Sequence, residues 1–211
     1  MTQRAAQCPS CGAPLRFAWS SAVQTTCPYC HSILVRTDVD LEKVGEVADL
    51  PPDASPIQIG TEGQFNSKSF VVVGRIRYVW AQGNWNEWHI AFNDGTNGWL
   101  ADAQLTYAVS FLLPNKAPAV SPDALQAGQI FDFENTKYVL TTITRASYAG
   151  FEGELPFTTA GHEQMIFADL RTTEAQFATL DFSDAQPVLY VGRELPYDEL
   201  KLKNVRLFEG W

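Results

Sequence analysis

The last 181 residues of this 211-residue chain (211 − 30) contain no cysteine. That body has no disulfides to staple it, and its 45% hydrophobic content is enough to build a core by burial alone. Long hydrophobic runs are missing too, since nothing approaches the roughly 18 consecutive apolar residues of a membrane-spanning helix. Acidic residues are missing from 1–37, which carry Arg4, Arg16 and Arg36 for a charge of +3; the remainder, with 12 bases and 24 acids, carries −12. A body of that sign repels a phosphate backbone, so nucleic acid is a poor partner. Helix signals are scarce, limited to one turn after Ser121 through Asp123–Leu125 and to Pro196–Leu200. Catalytic signatures are absent as well: there is no Gly-x-Ser-x-Gly and no phosphate-cradling Gly-x-x-x-x-Gly-Lys, and His162-Glu163 runs on into Gln164-Met165-Ile166 without completing His-Glu-x-x-His. No apolar signal core precedes the first cysteines, and the expectation is a soluble, cytoplasmic protein.

All four cysteines fall in two Cys-x-x-Cys pairs, Cys8/Cys11 and Cys27/Cys30, separated by a fifteen-residue arm. Each pair suits a tight turn whose amides point at the thiolates; Gly12 follows the first pair and His31 holds the same place after the second. Four thiolates complete a tetrahedral zinc site and leave no open position, which predicts one structural zinc per chain with His31 beside the site and not bound to it. A thioredoxin-like dithiol needs a βαβ setting that neither pair has. Short strands are expected in Leu15–Trp19 and Ser32–Arg36. Residues 1–37 thus read as a zinc ribbon, and the Pro-, Gly- and acid-rich stretch 38–56 reads as a linker.

From residue 57 to 211 the pattern is that of a mainly β domain, an antiparallel barrel or sandwich. Between Phe70 and Trp80 the even positions are apolar apart from Gly74, while Arg75 and Arg77 occupy odd positions, so one buried and one increasingly solvated face are expected. A turn at 81–84 leads into a returning strand 85–92, and Asp94-Gly95 and Asn97-Gly98 supply further turns. Strands are also expected at 107–113, 164–170, 177–182 and 187–192, with the tail 202–208 pairing with an edge and Trp211 plugging it. Residues 57–60, 65 and 70–72 match 125–128, 133 and 138–140 at a constant offset of 68, which keeps strand faces in phase and suggests two similar halves, 57–113 and 125–211.

Four of the six tryptophans, Trp80, Trp85, Trp88 and Trp99, lie within 20 residues. They could form a ligand platform, but strand alternation favours core packing. The candidate ligand or partner surface is Arg75, Arg77, Trp85, Glu87, Trp88, His89, Trp99 and Glu154. Glu87 and His89 are expected to face Arg75 and Arg77 across the hairpin as an ordinary ion-paired set.

Several short motifs resemble one known family. They are Cys-Pro-x-Cys-Gly with Cys-Pro-Tyr-Cys, Ile57-Gln58-Ile59-Gly60 with Gly63, Val73-Gly74-Arg75-Ile76, Trp85-Asn86-Glu87-Trp88, Asp94-Gly95 with Gly98-Trp99-Leu100, and Gly153-Glu154-Leu155-Pro156. Over essentially the whole chain they are similar to the bacterial domain of unknown function numbered 4178. The resemblance implies no established activity. It implies the zinc ribbon, and a setting near polyamine-synthesis-like enzymes and small membrane proteins, hence an envelope-associated system with a membrane-associated protein partner.

The residues favour a non-enzymatic binding or adaptor protein over two alternatives. One is an enzyme using Glu87, Glu154 or Asp169 as general acid or base on a small molecule or glycan. The other is nucleic-acid binding through the ribbon.

Overall fold

The computed structural model describes residues 5–37, 40–47, 50, 54–103, 105–159 and 164–208. The fold is mainly β, and its strands pair antiparallel throughout. In the ribbon, β1 (Ala5–Gln7) pairs with β2 (Pro14–Arg16), while β3 (Gln24–Thr26), β4 (Ser32–Arg36) and β5 (Leu41–Glu46) form a second small sheet. β5 falls within the stretch that composition marks as a linker. Its backbone pairs with β4, and Leu41 is buried in the ribbon core, so pairing and burial override the linker-like composition.

The body is built from two meanders. The first runs through β6 (Glu62–Phe65), β7 (Lys68–Trp80), β8 (Gly83–Phe92), β9 (Asn97–Ala103) and β10 (Thr106–Leu112). The second runs through β11 (Ile130–Phe133), β12 (Thr136–Leu155), β13 (Gln164–Arg171), β14 (Gln176–Asp181) and β15 (Val188–Leu195). Because β10 pairs with β15 and β7 with β12, the hydrogen bonding closes on itself through β7-β8-β9-β10-β15-β14-β13-β12. An eight-stranded ring results, and closure removes the unpaired edges that an open sheet would present.

The opening hairpins of the two meanders coincide at the 68-residue spacing. β6 and β11 begin and end at equivalent positions. Their two-residue turns sit in the left-handed region at Asn66 (48°) and Ser67 (64°) and at Glu134 (52°) and Asn135 (65°), the conformation that matches strand twist in tight hairpins. The Gly60 amide donates to Val72 O at 2.8 Å, and the Gly128 amide to Leu140 O at 2.8 Å. Ile57, Phe65, Phe70 and Val72 are buried in one apolar cluster, and Leu125, Phe133, Tyr138 and Leu140 in another.

The single buried face expected along β7 is split by a bulge. Val72 pairs with Ile90, but Gly74 pairs with His89, so one extra residue changes which β8 face the even positions share. Phe70 and Val72 therefore join Trp88, Ile90 and Phe92, whereas Ile76 and Tyr78 share the face of Glu87 and Trp85. β12 crosses close to the bulge: a Cβ on Gly74 would lie 2.0 Å from Glu154 O, and one on Gly153 (φ 71°) 2.3 Å from Val73 O. Only glycine allows that approach.

Two 3-10 turns, Pro122–Ala124 with Ser121 as N-cap and Tyr197–Leu200, stand where helix signals were read. The tail makes one bridge, with Glu62 and Lys203 exchanging backbone bonds of 3.1 and 2.8 Å. Trp211 and residues 160–163, including His162 and Glu163, lie outside the described residues.

The ribbon is fastened to the body. β3 pairs with the end of β12, placing Thr25 beside Glu154 and Gln24 beside Leu155. Phe17 and Trp19 share a core with Val73 and Ala91 of the body. Asp38, Asp40, Glu42 and Glu46 offset Arg4, Arg16, Arg36 and Lys43, so with β5 included the ribbon that rests on the acidic domain has no net charge of its own.

Candidate functional site

The cysteine pairs fold into two matching turns. The Gly12 amide donates to Cys8 O at 2.8 Å and the His31 amide to Cys27 O at 3.0 Å, with Gly12 (φ 75°) and His31 (φ 57°) both left-handed. The turns face each other, so Cys8 and Cys30 Sγ are 3.7 Å apart, Cys11 and Cys27 Sγ 3.8 Å apart, and all four sulfurs lie within 4.8 Å of one another. Four soft donors at this spacing can hold one metal ion and fill its coordination.

A second site lies inside the ring. Register carries one strand face all the way round: Tyr78 opposes Trp85, Glu87 opposes Ala101, Ala101 opposes Ala108, Ala108 opposes Glu194, Tyr190 opposes Thr179, Thr179 opposes Asp169, and Asp169 opposes Thr142. All of these residues line a cavity of about 390 Å³, within the usual range for small-molecule sites. Small side chains at Ala101 and Ala108 leave the space open. Aromatic rings form the opposite wall: Tyr78 stacks on Trp85 at 5.0 Å, and Phe167 meets both edge-on at 5.2 and 6.0 Å. Two larger grooves, about 790 and 780 Å³, run along the outside against the ribbon. The buried carboxylate of the first, Glu154, is held by the Ala18 and Trp19 amides, and the carboxylates of the second, Glu62 and Asp94, are exposed.

Glu87 is a strongly perturbed carboxyl of the cavity. Burial pushes it up to about 8, reinforced by the negative charges of Asp169, Asp102 and Asp181, while the hydrogen bond from Trp85 Nε1 (3.1 Å) only partly offsets this. Asp169 is also raised by burial, against the opposing hydrogen bond from Thr179 Oγ1 at 2.9 Å. Burial raises the hydroxyl of Tyr78 strongly and pushes that of Tyr148 up to about 12.

The sequence-derived surface separates into three places. Trp85, Glu87 and Trp99 line the cavity together with Asp169. Arg75 and Trp88 lie on the other side of the sheet, because the bulge sets Arg75 opposite Trp88 and Arg77 opposite Asn86. The expected pairing of Arg75 and Arg77 with Glu87 and His89 is therefore replaced. Arg75 is 3% exposed, stacks over Trp88 at 4.8 Å, and donates from Nε and Nη2 to Asn86 Oδ1 at 3.0 and 2.8 Å and from Nη1 to Glu152 at 3.3 Å. Asn86 passes the network to Asp102 at 2.9 Å, and the Ser55 hydroxyl donates to the same carboxylate.

Glu154 and His89 meet at the ribbon junction. The Glu154 carboxylate accepts the Ala18 and Trp19 amides at 2.7 and 2.8 Å, although burial still raises it. His89 Nδ1–H donates to Glu154 O at 2.8 Å, Nε2 accepts from Asn97 Nδ2 at 3.0 Å, and Trp19 packs edge-on at 4.8 Å. Burial drives this imidazole down to about 4 and keeps it neutral. The tryptophans divide likewise, with Trp88 fully buried in the outer core and Trp80, Trp85 and Trp99 facing the cavity. Tyr190, Asp181 and Thr142 were missed in the sequence. Each is a period-two residue of an ordinary strand, and only closure of the ring brings them to Glu87.

Among the described residues no helix is long and apolar enough to cross a membrane. No curated protein and no solved structure matches the chain. A family profile does match, over residues 58–197, which spans both meanders from the turn before β6 to the start of the 3-10 turn after β15. With well over half of its length covered, the chain belongs to the family described as Domain of unknown function (DUF4178).

Proposed function

We propose that this protein is a non-enzymatic, small-molecule-binding β-barrel carrying a structural zinc ribbon. The observation that supports it is the cavity of about 390 Å³ lined from both meanders. A ring of strands closed around a core would ordinarily be filled by side chains; here alanines at 101 and 108 stand where larger residues would fill the space. The ribbon's closed set of four sulfurs suits zinc and leaves no position for substrate. Fastened to the end of β12, it offers a surface on which a protein partner, membrane-associated as the family resemblance implies, can dock.

The test is a thermal-shift screen of small metabolites with wild type and with Ala108→Trp. The variant fills the cavity from a strand that the outer cores hold in place. Hits that stabilise wild type and are lost in a folded Ala108→Trp support the reading; hits unaffected by it place binding elsewhere.

A second reading has one specific observation in its favour. Glu87, pushed up to about 8, shares the cavity with Asp169, and a carboxyl protonated near neutrality can act as a general acid. Turnover of any screened hit by wild type but not by Glu87→Gln would establish it. Glu154 has no part in such chemistry, because its carboxylate is occupied by the ribbon amides.

A further inference from the structure

Closure of the ring leaves two strands of the body outside it, β6 on β7 and β11 on β12, and they differ in what lies along their outer edges. The edge of β6 is covered by the tail. Glu62, whose N–H and C=O point away from β7, exchanges both with Lys203, and the next residue of the tail closes on the turn before β6. Asn204 Nδ2 donates to Gly60 O at 2.9 Å, while its carbonyl accepts from Gln58 Nε2 at 3.0 Å and from the Thr61 hydroxyl at 3.1 Å.

The turn before β11 repeats that receptor. The Thr61 amide donates to Gln58 O at 3.0 Å, and the Gln129 amide to Gln126 O at 3.1 Å. In return the Gln58 amide donates to Thr61 Oγ1 at 3.0 Å, and the Gln126 amide to Gln129 Oε1 at 3.4 Å. Gly60 and Gly128 share the left-handed conformation, with φ of 86° and 89°. Register continues the match, since Glu62 opposes Val71 and Ile130 opposes Val139. Gly128 O and the Gln126 carboxamide therefore stand where Gly60 O and the Gln58 carboxamide hold Asn204. Gln129 offers a carboxamide donor in place of the Thr61 hydroxyl, and the outward N–H and C=O of Ile130 stand where Glu62 meets Lys203.

Among the described residues no strand or bridge covers this second edge. Residues 126–130 are exposed throughout, with Ile130 at 63% and Val139 beside it at 41%. Such an edge is a template for another chain. Two differences from β6 define the chain that fits. Leu202 of the tail packs over Gly63, whose counterpart at the offset of 68 is the half-buried Phe131, so no apolar anchor is called for there. Between Leu125 and Leu140 the charged residues are Asp132, Glu134 and Lys137, all exposed, which makes this edge net negative on an acidic body. The segment that covers β6 brings Lys201, Lys203 and Arg206.

We propose that the β11 edge is a docking site for an extended, basic strand of a partner protein, which adds antiparallel to β11 and seats an asparagine on the turn 126–129. This site is independent of the cavity within the ring.

The experiment is amide NMR of the full-length protein titrated with a synthetic peptide of residues 201–207, Lys-Leu-Lys-Asn-Val-Arg-Leu. In the intact chain the β6 edge already carries this sequence, so added peptide reports on β11. Saturable shifts are expected at the amides of Gly128, Ile130 and Asp132 and at the Gln126 carboxamide, with Glu62 and Lys203 unmoved. Asn204→Ala in the peptide removes one hydrogen bond and should weaken binding about five-fold. Lys203→Glu in the peptide should weaken it too, by a factor that shrinks as salt is added. In the protein, Ile130→Pro removes the outward amide at an edge position that tolerates proline and should abolish binding. Gln126→Ala, at an exposed residue, should weaken it and provides the test if Ile130→Pro does not fold. No shifts, or shifts at Glu62 and Lys203 that mark displacement of the tail, overturn the proposal. Self-association of the wild type that Ile130→Pro abolishes assigns the edge to a second copy of the chain and overturns the partner strand.

Discussion

Replacing Glu87 with glutamine should make the protein more stable, and increasingly so as pH rises. Glu87 is pushed from 4.5 to about 8 by burial and by neighbouring carboxylates. A carboxyl whose proton is held more tightly in the folded state favours folding fully below its unfolded value, and that contribution is lost as pH climbs toward the folded value. Between about pH 4.5 and 8 the wild type therefore loses stability relative to a variant that cannot ionise. At pH 7 the span (7 − 4.5) corresponds to about 3 kcal/mol, at about 1.4 kcal/mol per pH unit. Glutamine keeps the acceptor for Trp85 Nε1 and the side-chain volume, so little else changes. The assay is urea unfolding of both proteins across this pH range, taking differences so that groups common to both cancel. The gap should be near zero at the acid end and widen to a few kcal/mol above neutrality. A constant gap, or one that closes as pH rises, would refute the placement of Glu87 in a desolvated, like-charged cavity.

Other consequences concern the junctions. His89, neutral and driven down to about 4, should make stability fall as pH drops from about 6.5 to 4, because the unfolded chain takes up a proton that the folded one refuses; His89→Phe should flatten that part of the pH profile of Tm. Gly74→Ala forces a Cβ to 2.0 Å from Glu154 O and should cost about 3 kcal/mol or more, read by denaturant unfolding; a change under about 1 kcal/mol would contradict the β7–β12 crossing. Glu154→Ala strips the acceptor from the Ala18 and Trp19 amides and should speed hydrogen exchange at those two amides while the amides of β13 and β14 keep their protection. Metal analysis should return one zinc per chain, and chelation should lower the Tm of the body along with the ribbon, since β3 pairs with β12 and Trp19 packs on His89.

Cysteine spacing made the ribbon's site legible at the residue level, because Cys-x-x-Cys turns are local and their geometry follows from a few adjacent residues. Strand positions were legible for the same reason, whereas the left-handed turns at Asn66-Ser67 and Glu134-Asn135, also 68 residues apart, were not read from the pattern. The cavity was not legible. It depends on β7 meeting β12 and β10 meeting β15, pairings between residues far apart in the chain, and on one bulge at Val73 that no alternation rule announces. Without the bulge, Arg75 would face Glu87; with it, Arg75 turns outward to Asn86 and Glu87 turns inward to Asp169. Glycine at 74 was the visible trace of that switch, read in the sequence only as a gap in the apolar pattern.

The central claim is that the ring encloses a ligand site. The most direct measurement is methyl NMR of the full-length protein titrated with the hits of the metabolite screen, following Ala101, Ala108, Thr142 and Thr144 on the lining and Ala178 and Leu189 in the outer core. The account predicts saturable shifts concentrated on the four lining residues. Shifts confined to the outer core or the ribbon, or none at any of these methyls with the hits of the metabolite screen, would contradict it.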